Sequence, residues 1–160
     1  MYYSILENDL HDLIIVGDQN GITHIRHYTE EKLAQLKAEG VVRREDFFRE
    51  AKSQLAAYFA GERKTFDLKL NPAGTPYQKA VWSLLTKIPY GTTTTYKDLA
   101  VKMGNSKASR AVGMCNGRNP IMIVIPCHRV IGSDGRLTGF AGGLEMKRDL
   151  LDLEAKGGKT

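Results

Sequence analysis

Hydrophobic positions come in short groups along this chain, and their spacing changes from one group to the next. Leu13-Ile14-Ile15-Val16 and Ile22 to Ile25 flank Gly17-Asp18-Gln19-Asn20-Gly21. Two apolar runs around such a polar, Gly-rich string predict a β-hairpin. Over 45–60, Phe47, Phe48, Ala51, Leu55, Ala56 and Phe59 recur at helical intervals, and Gly61 supplies a stop. Phe66, Leu68 and Leu70 alternate like a strand. Asn71-Pro72-Ala73-Gly74 then reads as a linker. The pattern predicts a small α/β unit over 1–70 and a separate domain over 71–160.

The second domain has a more helical rhythm. Thr75-Pro76 is an N-cap followed by proline at the first helical position. The helix it starts carries Val81, Trp82, Leu84 and Leu85 and should stop near Pro89-Tyr90-Gly91. Thr95 can cap a helix from Tyr96 to Met103, which Gly104 ends, and another helix is expected over 106–117. Two short helices joined by a tight Gly-containing turn are helix-turn-helix geometry. The second helix is unusual. Ala108, Ser109, Ala111 and Gly113 are small, and Arg110 is the one long side chain in its middle. Such a face fits close approach to a nucleic-acid groove or close packing on another helix. Ile121 to Ile125 reads as a buried strand or extended segment, and a last helix is expected from Leu144 to Ala155.

Composition adds limits. At 160 residues with 42% hydrophobic and 26% charged residues, the chain is an ordinary folded protein. No apolar run reaches the roughly 20 residues of a membrane helix. The start lacks a signal-peptide pattern, so an intracellular, cytoplasmic protein is expected, nuclear if the source is eukaryotic. Charge is lopsided. Residues 1–70 hold 10 Lys and Arg against 12 Asp and Glu, whereas 71–160 hold 13 against 6. Between Leu99 and Ser133 no acidic residue occurs, but Lys102, Lys107, Arg110, Arg118 and Arg129 do. A polyanionic partner or a solvated basic surface would each account for this. The cysteines are Cys115 and Cys127. No CxxC or HxxxH spacing is present, so no metal site is expected.

One thiol stands in chemical company. Pro126-Cys127-His128-Arg129 puts a proton acceptor and a cation beside a cysteine. The nucleophile is the thiolate, and a free cysteine with pKa ~8.5 is mostly protonated near neutrality, so a base or a nearby positive charge is needed. His128 is the one histidine in the C-terminal half and is the natural base. Neighbours in an extended chain point opposite ways, which favours a bridging water over direct contact. Glu154, near the end of the last helix, is a candidate to hold the imidazole tautomer, although a helix-end carboxylate is more often simply solvated. Cys115 has no adjacent base and reads as structural. Gly139-Phe140-Ala141-Gly142-Gly143 could bring backbone N–H groups to a ligand, with Phe140 walling a flat pocket.

These elements, in this order, resemble the O6-alkylguanine-DNA alkyltransferase family. The resemblance rests on Thr94-Thr95-Tyr96, Arg110-Ala111-Val112-Gly113, Asn119-Pro120, Ile125-Pro126-Cys127-His128-Arg129-Val130, Gly139 to Leu144, and Glu154, covering about 75–154. It implies an α+β protein: an N-terminal ribonuclease H-like unit and a mostly helical, winged helix-turn-helix-like domain carrying the active cysteine. It implies single-turnover repair. A damaged guanine is flipped from the duplex and its alkyl carbon moves from oxygen to sulfur, with no cofactor and no metal. O4-alkylthymine is a further substrate of interest. Cys127 would be the acceptor, His128 the base through water, and Glu154 its orienting partner. Asn119 would brace the turn before the cysteine. Tyr96 would crowd the phosphate 3′ to the target, and Arg110 would fill the gap in the stack from the minor groove. Lys97, Asn105 and Ser133 are further DNA-contact candidates. Val130, Phe140, Ala141 and Gly142 would line the base pocket. Carbonyls of Cys127 and Val130 would accept from the guanine amine, and the Ala141 N–H would face its oxygen. Phe140 stands where many members have tyrosine. Zinc-binding members use N-terminal cysteines, and 1–70 has none. The partner implied is double-stranded DNA with O6-alkylguanine, bound by a monomer, with cooperative clustering left open. A damage sensor with an unused thiol, or a Cys-His-Glu hydrolase, are the alternatives.

Overall fold

The computed structural model describes residues 1–138, 140 and 143–157. The chain folds as two units, Met1–Ala73 and Gly74–Thr160.

In the first unit, β1 (Tyr2–Leu6), β2 (Leu13–Asp18), β3 (Gly21–His27) and β4 (Val42–Arg43) form a sheet in the order β3-β2-β1-β4. The β2–β3 pair is the expected hairpin, antiparallel with a register shift between Val16 and Gly17. A Cβ on Gly17 would lie 2.6 Å from the Gly21 carbonyl oxygen, so the irregular turn requires glycine there. Central strand β2 is buried on both faces, as its unbroken apolar run allows. Ile14 and Val16 join Tyr3 in one cluster, against which Leu33, Leu36 and Val41 pack.

Two elements of this unit escape the apolar pattern. Strand β1 carries a buried Ser4, whose hydroxyl donates to Glu45 Oε2 at 2.5 Å. Helix α1 (Glu30–Ala38) has no fully buried residue and is started by Thr29, whose side chain accepts from the Lys32 N–H. The expected 45–60 helix divides into a 3-10 turn, Asp46–Phe48, and α2 (Arg49–Phe59). The expected strand at Phe66, Leu68 and Leu70 is corrected to one bridge, Ile22 to Leu70. Gln54 explains why. Its side chain donates to the Asp67 carbonyl at 3.1 Å and accepts from the Asp67 N–H at 2.9 Å, occupying groups a ladder would use.

The second unit starts with α3 (Pro76–Leu85), closed by a capping box between Thr75 and Gln78. Thr95 caps α4 (Tyr96–Lys102), and α5 (Ser109–Gly117) packs on both α3 and α4. Helix α5 begins later than expected, because Asn105 Oδ1 accepts from the Lys107 N–H and holds 105–108 in a turn. Trp82 Nε1 donates to the Cys115 carbonyl at 2.8 Å, tying α3 to α5. Strands β5 (Thr94–Thr95) and β6 (Val130–Ile131) pair in parallel, and α6 (Leu144–Gly157) closes the unit. Among the described residues no helix is long and apolar enough to cross a membrane.

Candidate active site

Ile121, Met122, Ile123 and Ile125 are buried and Val124 is half-buried, but the expected strand or extended segment is not what they form. The Ile125 N–H returns to the Ile121 carbonyl at 3.1 Å and the Val124 N–H to the Met122 carbonyl at 2.9 Å, so the chain coils tightly. Ile123 sits at φ 73°, a strained setting for a β-branched residue. Asn119 supplies the hydrogen bonds that a sheet would have given. Its Nδ2 donates to Ile125 O at 2.8 Å and Ile121 O at 3.3 Å, and its Oδ1 accepts from Ile121 N at 3.0 Å.

The coil delivers Cys127 into a 3-10 turn, Cys127–Arg129, rather than the extended chain expected there. Arg129 N–H bonds to Pro126 O, and Val130 N–H to Cys127 O. All three side chains of the turn are buried.

Helix α6 meets this turn with two buried charged residues. Lys147, Leu150 and Glu154 recur at near-heptad spacing and share a face. Glu154 Oε2 lies 2.6 Å from His128 Nε2. The same carboxylate receives Arg129 Nε at 2.8 Å and Nη2 at 3.0 Å, while Arg129 Nη1 donates to the Ile88 carbonyl. The Gly91 N–H also donates to Glu154, at 3.2 Å. Helix-end solvation is therefore not the fate of this residue.

Because Arg129 already neutralises Glu154, His128 need not be charged to sit beside it. Burial pulls the imidazole below its ordinary pKa, against the opposing pull of Glu154. The hydrogen-bond network assigns the proton to Nε2, which donates to Glu154. Nδ1 is then the basic nitrogen, buried and without a hydrogen-bond partner among the described residues. The thiol differs from the expectation of a depressed pKa. Burial pushes Cys127 up to about 11, although an Asn119 hydrogen bond and the Lys147 charge favour the thiolate. The resting sulfur is a thiol and must be deprotonated to act.

Lys147 and Asn116 were not singled out by the sequence reading. Lys147 Nζ donates to Val130 O at 2.6 Å and Thr138 O at 2.8 Å. Asn116 Nδ2 donates to Cys127 O at 3.3 Å. The signal for Lys147 was its place on the apolar stripe of α6. Asn116, at the polar end of a short helix, gave none.

The remaining candidates divide. Tyr96 opens α4, and its hydroxyl is 3.3 Å from Thr138 O and 3.2 Å from Thr138 Oγ1. Val130 is buried, and Phe140 is half-buried with its carbonyl accepting from Gly143 N–H. Arg110, Lys97, Asn105 and Ser133 are exposed. Ala141 and Gly142 lie outside the described residues. Cys115 is buried, and burial raises its pKa.

Two family matches cover the chain. Residues 1–72 match "6-O-methylguanine DNA methyltransferase, ribonuclease-like domain", and 76–156 match "6-O-methylguanine DNA methyltransferase, DNA binding domain". The methylated-DNA–protein-cysteine methyltransferase of Methanosarcina acetivorans is 51% identical over 154 residues, 96% of this chain and 98% of that protein. The constitutive enzyme of that name from Bacillus subtilis is 44% identical, covering 96% and 94%. The crystal structure of Mycobacterium tuberculosis OGT in complex with DNA superposes with a TM-score of 0.89 at 39% identity, over 98% of this chain and 94% of that one.

Proposed function

The chain belongs to the methylated-DNA–protein-cysteine methyltransferase family, and from that footing we propose that Cys127 is its alkyl acceptor, worked by His128 and Glu154. The protein repairs alkylated DNA by direct reversal, and DNA is its partner. The observation that carries the site assignment is the buried chain Arg129–Glu154–His128, whose imidazole follows Cys127 in the same 3-10 turn, with the basic Nδ1 unspent.

The step runs as follows. A water passes the Cys127 proton to His128 Nδ1, and Glu154 stabilises the imidazolium that forms. The thiolate attacks the alkyl carbon in line, the carbon–oxygen bond breaks, and its electron pair leaves with guanine. Guanine then takes up the proton that the imidazolium gives back through water, so His128 returns to its neutral form and the products are neutral. Sulfur ends as a thioether, which water does not cleave, so each molecule acts once. A resting thiol suits this scheme. It stays unreactive until a bound base excludes water and the relay is aligned.

Exposed Arg110 fills the place of the flipped base, Tyr96 presses the backbone at the target, and Lys97, Asn105 and Ser133 contact the strand nearby. Carbonyls of Cys127 and Val130 take the guanine amine and Phe140 walls the ring, while Ala141 and Gly142, the remaining pocket candidates, lie outside the described residues. The reading extends to an intracellular monomer that needs no cofactor. A damage sensor has no use for a cysteine followed by a buried base and its carboxylate, and a hydrolase has none for exposed Arg110.

The test is mass analysis. After reaction with duplex DNA containing O6-methylguanine, the peptide holding Cys127 should gain one methyl per protein, and Cys127→Ser should bind DNA without transfer. A methyl on any other residue, or repeated turnover, overturns the assignment.

A further inference from the structure

The sheet face beneath α1 changes character from one strand to the next. On β2, Ile14 and Val16 belong to this face and are almost fully buried. Their ladder partners on β3 are Arg26 and His24. Cross-strand partners share a face, so an apolar floor runs directly into two basic side chains. Helix α1 adds Lys32, Gln35 and Leu36 from the other side and has no fully buried residue of its own. Helix and sheet do not close on each other here. They leave a cavity of about 340 Å³, with Glu39 also on its wall.

The charges around this cavity do not balance. Arg26 and Lys32 are half-buried cations, and the one carboxylate on the wall is that of exposed Glu39, which takes a hydrogen bond from Gln35 Nε2 at 3.2 Å. Lys32 Nζ gives one donor to the His27 carbonyl at 3.0 Å, and His24 Nδ1 meets the Thr23 hydroxyl at 2.9 Å. The Arg26 guanidinium has no hydrogen-bond or ion-pair partner among the described residues. Burial, and after it the Arg26 charge, hold both His24 and Lys32 below their ordinary pKa values. A half-buried cation with no acceptor, crowded by a second cation, is costly until an anion joins it.

We propose that this cavity between β2, β3 and α1 binds a small organic oxyanion, a carboxylate or phosphate head on a compact apolar body. The head takes the Arg26 fork and the Lys32 ammonium, and the body lies on Ile14, Val16 and Leu36. Two cations against one carboxylate leave positive charge for the ligand to neutralise. An apolar floor with a few convergent polar groups is the usual make-up of a small-molecule site, and this volume lies at the small end of that class. A DNA phosphate would meet the cations but leave the apolar floor uncovered. None of these residues belongs to the alkyl-transfer site, so the proposal stands independently of it.

The experiment titrates the full chain with benzoate and with phenyl phosphate, reading backbone amide shifts by NMR. Benzamide, which lacks the charge, and inorganic phosphate, which lacks the apolar body, are the controls. At least one of the two organic anions should give saturable shifts at His24, Arg26, Lys32 and their neighbours. Preference for benzoate assigns a carboxylate head, and preference for phenyl phosphate a phosphate ester. Both controls should bind at least about tenfold more weakly, the scale of one charge-assisted hydrogen bond or a small buried apolar group. Arg26→Met and Lys32→Met should each weaken the organic anion by a similar factor. Glu39→Gln should tighten it, because the rim carboxylate repels the head. Glu39 is exposed, so this variant decides the outcome if the cation variants fail to fold. Saturation by neither anion, benzamide binding as well as benzoate, or an affinity indifferent to Arg26→Met overturns the proposal. Loss of duplex DNA binding in Arg26→Met, with no organic anion bound by the wild-type protein, would assign the cations to DNA and overturn it equally.

Discussion

Arg129 and Glu154 meet as a buried fork, Nε on Oε1 at 2.8 Å and Nη2 on Oε2 at 3.0 Å, although the two residues stand 25 positions apart. The pair does more than join α6 to the turn. It leaves a carboxylate whose charge is already balanced and which still has room for His128 Nε2. The imidazole therefore rests neutral, with its basic nitrogen on the other side.

Glu154→Gln should test that arrangement. The variant leaves Arg129 buried without its counter-charge and turns one of the two acceptor oxygens into an NH2 donor, so His128 Nε2 and Arg129 must compete for the one that remains. Breaking a buried pair by removing one partner costs about 3–5 kcal/mol. For a chain of this size that lowers the melting temperature by roughly 10 °C. Transfer should slow with it. An unchanged melting temperature, read by calorimetry, would show that the fork contributes no net stability.

Cys127 makes a prediction at alkaline pH. Burial disfavours the thiolate and pushes the thiol up to about 11, above the ~8.5 of a free cysteine. Between those values the folded chain keeps a proton that the unfolded chain has shed. Stability from this source is complete below pH ~8.5 and is lost as pH rises towards about 11. Melting curves of the wild-type protein and Cys127→Ala over pH 8 to 11 should converge or cross as this contribution disappears. A constant gap across that range would refute the elevated value.

Arg110 makes a prediction about substrates. It is exposed on α5, and its proposed part is played in the duplex rather than in the pocket. Arg110→Ala should cut transfer from duplex O6-methylguanine by at least about tenfold, which ~1.4 kcal/mol of lost compensation for unstacking would already produce. Transfer from the free alkylated base should fall much less. Equal losses on both would remove the gap-filling role and point to a fault in the pocket.

Local chemistry was legible along the chain, because it depends on neighbours in sequence. Thr75-Pro76 announced α3, Thr95 announced α4, and the Gly-rich string 17–21 announced the β2–β3 turn. Pro126-Cys127-His128-Arg129 marked the thiol and the imidazole proposed as nucleophile and base. Misreadings arose where side chains replaced backbone partners. Asn119 coils a segment whose apolar run suggested a strand, and Gln54 occupies the backbone at Asp67.

Sequence by itself determined the β2–β3 hairpin, the helices α2 to α6 to within a turn, the two-part organisation and which thiol to propose as the acceptor, since capping, periodicity and residue type act over a few positions. Tertiary structure alone decided the state of that thiol and the company of its base. Whether Glu154 is solvated or buried, whether Lys147 is spare charge or a tether, and whether Cys127 rests as thiol or thiolate all depend on desolvation and on charges brought together from distant positions. Those energies come into being only when α6 closes over the turn at Cys127–Arg129.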